Sequence, residues 1–141
     1  MAQTIILESL AVPTGGTRRY TADAAISTRN LLYQQGATDG GVAVNIATTC
    51  PLGTVDNTVA ITEAVTVLLL GKESSATSGK IMVANEAISA GEQVFTAAAG
   101  KVQDTPAGAT VYLVGTALTA ALADGDELIV QDCVPVKMVF A

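Results

Sequence analysis

The sequence predicts an all-β fold, and three observations carry that expectation. Val, Thr and Ile are abundant, while the long helix formers Glu, Lys, Arg and Gln are sparse. Thirteen glycines, mostly flanked by small or acidic residues, set turns at short intervals. Alanine suits a helix, but here it alternates with Val and Thr and shows no helical period. Many short strands between close turns fit a small β-barrel, with a jelly-roll sandwich as the alternative, because both need the same alternation. The chain has 141 residues, enough for one domain with a core of its own. Half of them are apolar and 14% are charged, which argues against disorder.

Residues 4–12 (TIILESLAV) suit a strand or an extended arm, and Pro13-Thr14-Gly15-Gly16 then breaks the chain. Residues 17–35 carry Tyr20, Ile26, Leu31, Leu32 and Tyr33 without a clean period. Residues 1–35 are therefore read as an extended N-terminal arm with the first strands, and 36–141 as the compact β domain, within one structural domain overall. Gly36 to Gly41 is a loop, and in 42–49 Val42, Val44 and Ile46 share a face. Cys50-Pro51-Leu52-Gly53 is turn chemistry, as is Asp56-Asn57. Residues 58–70 place Val59, Ile61, Val65, Val67 and Leu69 on one side, with Glu63 among them, so a bulge or exposed end is expected there. Residues 71–80 form a polar loop of small residues.

From Lys80 onward short strands are expected at 81–84, 93–96, 101–103, 111–118, 127–133 and 136–140. Ala99-Gly100-Lys101 is expected to turn a hairpin between the second and third. Leu128, Val130, Val134, Val136, Met138 and Phe140 share one face, but Asp132 falls on it and Pro135 cannot donate to a ladder. The strand is expected to split there. One segment repeats: Ala87 to Val94 and Ala121 to Leu128 both read Ala, aliphatic, small, Ala or Asp, Gly, acid, polar, aliphatic. The pattern describes one tight turn used twice, with the Gly supplying positive φ and the acid binding turn amides.

The search for chemistry mostly excludes. There is no His, which removes Ser-His-Asp and Cys-His catalysis and any His-ligated metal or haem. None of Gly71-Lys72, Gly79-Lys80 and Gly100-Lys101 is followed by the Ser or Thr that a phosphate-binding loop needs. Ser89 sits in a nucleophile elbow that lacks its first Gly and any base. Asp124, Asp126 and Glu127 cluster without the twelve-residue spacing of a calcium loop, and read as an acidic turn. Few aromatics and a net charge of −6 argue against nucleic-acid binding. The longest apolar run, Val65 to Gly71, is far short of a membrane span, and the opening residues lack the basic stretch of a secretory leader. Cys50 and Cys133 are read as two small buried thiols in a reducing compartment, in preference to a disulfide. No catalysis, cofactor or metal is expected. Charge is uneven: residues 1–29 hold Arg18, Arg19 and Arg29 against two acids, while the rest holds four lysines against eleven acids. A basic arm on an acidic body suits docking on acidic neighbours.

Four pieces then follow one another: Ala90-Gly91-Glu92-Gln93-Val94, Ala99-Gly100-Lys101-Val102, Val114-Gly115-Thr116-Ala117-Leu118 and Asp124-Gly125-Asp126-Glu127-Leu128-Ile129-Val130. In that order the segment from Lys80 to Phe140 resembles the small cement, or decoration, proteins of tailed-bacteriophage heads. The first 78 residues match that family less clearly. The resemblance implies a β-tulip-like barrel with an extended N-terminal arm, made in the host cytoplasm and bound to the outer capsid surface of the virion. It implies a homotrimer at three-fold or quasi-three-fold positions that clamps neighbouring copies of the major capsid protein. It offers no catalytic motif. On this reading the arm, roughly Thr4 to Leu32, docks on the lattice by strand addition through Ile5, Ile6 and Leu7, and Arg18, Arg19 and Arg29 pair with acidic capsid surface. The alternatives are another virion part, such as a head fibre base or tail element, and a small soluble sugar- or peptide-binding module.

Overall fold

The computed structural model describes residues 16–71, 79–106, 108 and 110–140. The first five strands are β1 (Thr17–Ala22), β2 (Leu32–Gln35), β3 (Gly41–Val44), β4 (Gly53–Thr54) and β5 (Ala64–Leu69). They close a barrel in the order β1-β3-β2-β4-β5, with β5 pairing back onto β1. The pairs are antiparallel except β1 with β3. Alternation does its work in β5, where Val65, Val67 and Leu69 point inward. They meet Ala22, Ile26, Tyr33, Val42 and Val55 in the barrel core. Of the two expected architectures, the closed barrel is the one formed. A glycine pair shapes its rim: a Cβ on Gly36 would lie 1.9 Å from the Asp23 carboxylate and one on Gly41 2.2 Å from it. That carboxylate accepts from the Thr38 amide at 3.3 Å and ties the β2–β3 loop to the end of β1.

The remaining strands form an open sheet: β6 (Lys80–Val83), β7 (Gln93–Thr96), β8 (Val102–Gln103), β9 (Thr110–Ala117), β10 (Glu127–Gln131) and β11 (Val136–Val139). Their order is β6-β10-β9-β7-β8, and β11 also pairs with β9. β10 and β11 meet the same strand in succession, Val130 and Gln131 opposite Ala117 and Thr116, then Val136 to Val139 opposite Leu113 to Thr110. They are one long strand split at Asp132, which has φ 56°, and Pro135, as their residue types predict. The expected hairpin is also present. Residues Ala98–Gly100 form a 3-10 turn between β7 and β8, and Ala99 and Gly100 both take positive φ.

The repeated segment forms the same turn twice. Gly91 has φ 90° and Gly125 φ 92°, and each turn closes from the following acid's amide, Glu92 to Ser89 and Asp126 to Ala123. The two copies are paired reciprocally. β6 leads into the first turn and pairs with β10, which leaves the second; β9 leads into the second and pairs with β7, which leaves the first. Ile88 and Ala121 bridge where the two copies meet. Such an exchange is what an internal two-fold produces. It explains a repeat that is too short to stack as a solenoid.

The sheet buries its inner face in a second core built from Met82, Ala84, Ile88, Val94, Val114 and Val130 with their neighbours. Leu32, on barrel strand β2, is part of this core, and Leu70 packs against it. Three hydrogen bonds also tie barrel to sheet: Gly71 amide to Cys133 carbonyl at 2.7 Å, Gly100 amide to Asn45 carbonyl at 2.9 Å, and Thr96 hydroxyl to Ala47 carbonyl at 2.7 Å.

Three expectations are corrected. Residues 58–70 are not one strand. A turn at 60–63 precedes β5, with Thr62 at φ 68° and the Glu63 carboxylate accepting from the Ala60 amide, so Ile61 lies exposed. The shared apolar face of 128–140 ends at the bend. Leu128 and Val130 are buried, but past Asp132 the chain rotates out and Val134, Val136 and Phe140 are exposed. Of the two thiols expected in the interior, Cys133 is buried and Cys50 is exposed, because Cys50 falls in the turn ahead of Pro51.

Candidate functional site

The residues singled out for docking scatter. Ile5, Ile6 and Leu7 lie outside the described residues. Arg18 and Arg19 are adjacent on β1, opposite Val67 and Thr66 of β5, and so project to opposite sides of the strand. Arg18 is half-buried beside Tyr20, and Arg19 is exposed. Arg29 is exposed in the turn before β2, next to Asn30.

The acidic turn is occupied by its own backbone. One Asp126 oxygen accepts from the Leu122 and Ala123 amides at 3.0 and 3.1 Å, and Asp124 pairs with Lys101 at 2.8 Å. Among the described residues no group of three or more His, Cys, Asp or Glu side chains is placed to hold a metal. Both cysteines are free. Burial pushes the Cys133 thiol up to about 11, and burial also raises Tyr33 and Cys50 above their ordinary values. A buried thiol held protonated is a poor nucleophile. Among the described residues no helix is long and apolar enough to cross a membrane.

What the tertiary structure builds is an apolar surface. A cleft of about 320 Å³ lies where the barrel meets the sheet, lined by Tyr20, Leu52, Leu69, Leu70, Val134 and Pro135, with Arg18 and Cys50 also in its wall. From its rim β11 runs outward. The outer face of the sheet carries a transverse row, Phe95–Leu113–Val136, in register across β7, β9 and β11. The Phe95 ring meets Phe140 edge-on at 6.1 Å. The pairing steps from Val94 opposite Gly115 to Phe95 opposite Leu113. Val114 is therefore the extra residue of a bulge, and Phe95, next to it in the register, is buried at 6% exposure. Local reading could not find this cleft, since its walls come from four separate segments. The break at Asp132 and Pro135 was its one sequence signal.

No family model matches the sequence, and no curated protein matches it. A solved structure does: the N base of head fiber gp8.5 of bacteriophage phi29, with TM-score 0.58, covering 84% of this chain and 95% of that one at 19% identity. The two chains share a fold.

Proposed function

We propose that this chain is a structural protein of a tailed-phage virion, bound to the outer surface of the head, where it clamps neighbouring copies of the major capsid protein. The observation that carries the reading is the fold likeness to a head fibre base over nearly all of that base. The order of short motifs from Lys80 to Phe140 supports it independently. The role asks for a stiff β body, apolar surface for contacts and a segment for strand addition, with no catalytic machinery, cofactor or metal. Many identical copies on one shell let each contact be modest. On this reading the protein is a homotrimer at three-fold or quasi-three-fold positions, its arm docks through Ile5, Ile6 and Leu7, and the exposed Arg19 and Arg29 meet acidic capsid surface, while Arg18, half-buried in the cleft wall on the other side of β1, does not join them.

The matched structure favours a second reading, the base of a head fibre. Copy number separates the two. In density-banded particles a clamp stands near one copy per major capsid protein, or a small integer per hexamer; a fibre base stands at far fewer copies. Absence from the band overturns both. The arm is tested by deleting residues 2–16: the protein is expected to fold and to lose shell binding. Unchanged saturation of shells by the truncated protein would sink the arm's role.

A further inference from the structure

The register fixes what the sheet turns outward. Ile81 on β6 stands opposite Ile129 on β10, and the Leu118 amide at the end of β9 donates to the Ile129 carbonyl at 2.7 Å, which makes a first row. Two residues along, Gln131, Thr116 and Gln93 stand side by side on β10, β9 and β7. Past the bulge at Val114 comes the row Phe95–Leu113–Val136. Paired residues share a face, and so do residues two apart on a strand, so the three rows lie on one surface. The residues between them, such as Met82, Leu128 and Val130, point the other way and fill the core.

The first and third rows leave apolar surface open. Ile81 and Leu118 are 46% and 50% exposed. In the third row Phe95 is buried edge-on to Phe140, which leaves Phe140 and Val136 at the surface, 38% and 48% exposed. The middle row is amide and hydroxyl. None of the residues in the three rows is charged, on a chain with a net charge of −6. With strands about 4.8 Å apart and alternate residues about 6.8 Å apart, the rows cover roughly 400 Å². A face of that size and composition suits the dry centre of an interface.

Charge and chemistry select the occupant. Two copies of an acidic chain repel over most of their surface, and a charge-free face lets them meet without that repulsion. The face also matches itself. Its order is apolar, amide, apolar from either end, so a second copy sets apolar row on apolar row. Glutamine both donates and accepts, so it pairs with glutamine. We propose that copies of this chain associate through this outward face, with the Ile81 row of one copy packed on the Val136 row of another and Gln93 and Gln131 bonded across the contact. The proposal deepens the homotrimer of the proposed function and rests on that reading for the number of copies. In a ring of three, the Ile81 row of each copy meets the Val136 row of the next, and the amides face the axis.

The test is the mass of the full-length protein in solution by sedimentation, with substitutions at exposed positions so that the fold survives. Leu118→Lys and Ile81→Lys each force a charge into the contact and are expected to weaken self-association at least about a hundredfold. Ile61→Lys, at a 57% exposed position in the turn before β5, is expected to leave it unchanged. Circular dichroism checks that each variant is folded. A wild-type chain that stays single at every concentration overturns the proposal, and so do folded Leu118→Lys and Ile81→Lys proteins that assemble as the wild type does. Thr116→Cys, made together with Cys50→Ser so that the other thiol is the buried Cys133, reads the centre of the face. A short thiol cross-linker is expected to join chains there, and no link overturns the packing. A wild-type mass of two copies keeps the face and removes the trimer. Shell binding separates this proposal from the head role. Assembled wild type that binds no shells removes the head role alone, and shell binding by a protein whose assembly ignores these substitutions removes the face alone.

Discussion

Leu32→Ala tests whether barrel and sheet are one cooperative unit. Leu32 is fully buried on barrel strand β2, yet its contacts lie in the core of the sheet. Truncation removes three carbons, worth about 2.4 kcal/mol at about 0.8 kcal/mol each. A cavity term raises the cost to about 3–5 kcal/mol, because a site walled by two sheets relaxes little. Unfolding entropy of about 2.1 cal/mol/K per residue gives about 0.3 kcal/mol/K over 141 residues, so the melting midpoint falls about 10 °C or more. The assay is urea and thermal unfolding followed by circular dichroism and tyrosine fluorescence, the chain having no Trp. Tyr33 reports from the barrel core. One transition is expected, shifted as a whole, with an unchanged urea slope. Leu122→Ala, at an 84% exposed position, is the control and should stay within about 0.5 kcal/mol. A loss below about 1 kcal/mol at Leu32, or a sheet that melts apart from the barrel, would refute the reasoning.

Two glycines should differ sharply. A Cβ on Gly53 would sit 2.1 Å from the Leu68 carbonyl oxygen, so Gly53→Ala should cost about 3 kcal/mol or more; one on Gly91 meets nothing within 4 Å and Gly91→Ala should cost about 1–2 kcal/mol of backbone strain. The reverse order of urea midpoints would contradict this. Asp126→Ala strands two turn amides and should cost about 1–2 kcal/mol, with Asp126→Asn nearer wild type. Thiol titration at pH 8 should label one cysteine in the native protein, Cys50, and two after unfolding. Cys133 has a folded value of about 11 against an ordinary 9.0, so its contribution is complete below pH 9. Above that the unfolded thiol ionises first, and stability relative to Cys133→Ala should fall by about 1.4 kcal/mol per pH unit until about pH 11. Breaking the exposed Lys101–Asp124 pair should cost under about 1 kcal/mol, and less in high salt.

Much of the strand plan was legible in residue types alone. The strand at 93–96 matches its expected bounds, those at 110–117 and 127–131 lie within a residue or two, and the split at Asp132 and Pro135 is where φ and the missing donor require it. These succeed because alternation, turn chemistry and proline act over two to four residues. The repeat at Ala87 and Ala121 was legible as one turn used twice, and Asp126 binds its turn amides as that reading expects. The candidate site was far less legible. Ile61 was placed in a strand because alternation does not stop at a turn set by Glu63. Cys50 was placed in the interior because residue type says nothing about which turn reaches solvent.

By itself, the sequence determined the fold class, the strand positions after Lys80 and the absence of histidine chemistry, since each depends on composition or on near neighbours. The tertiary structure alone decided that β5 closes onto β1, that Leu32 leaves its own barrel for the sheet's core, that Val114 bulges between the pairs made by Val94 and Phe95, and that four distant segments wall one cleft. Those are pairings between residues far apart in the chain, and a two-residue period is the same whichever strand lies alongside.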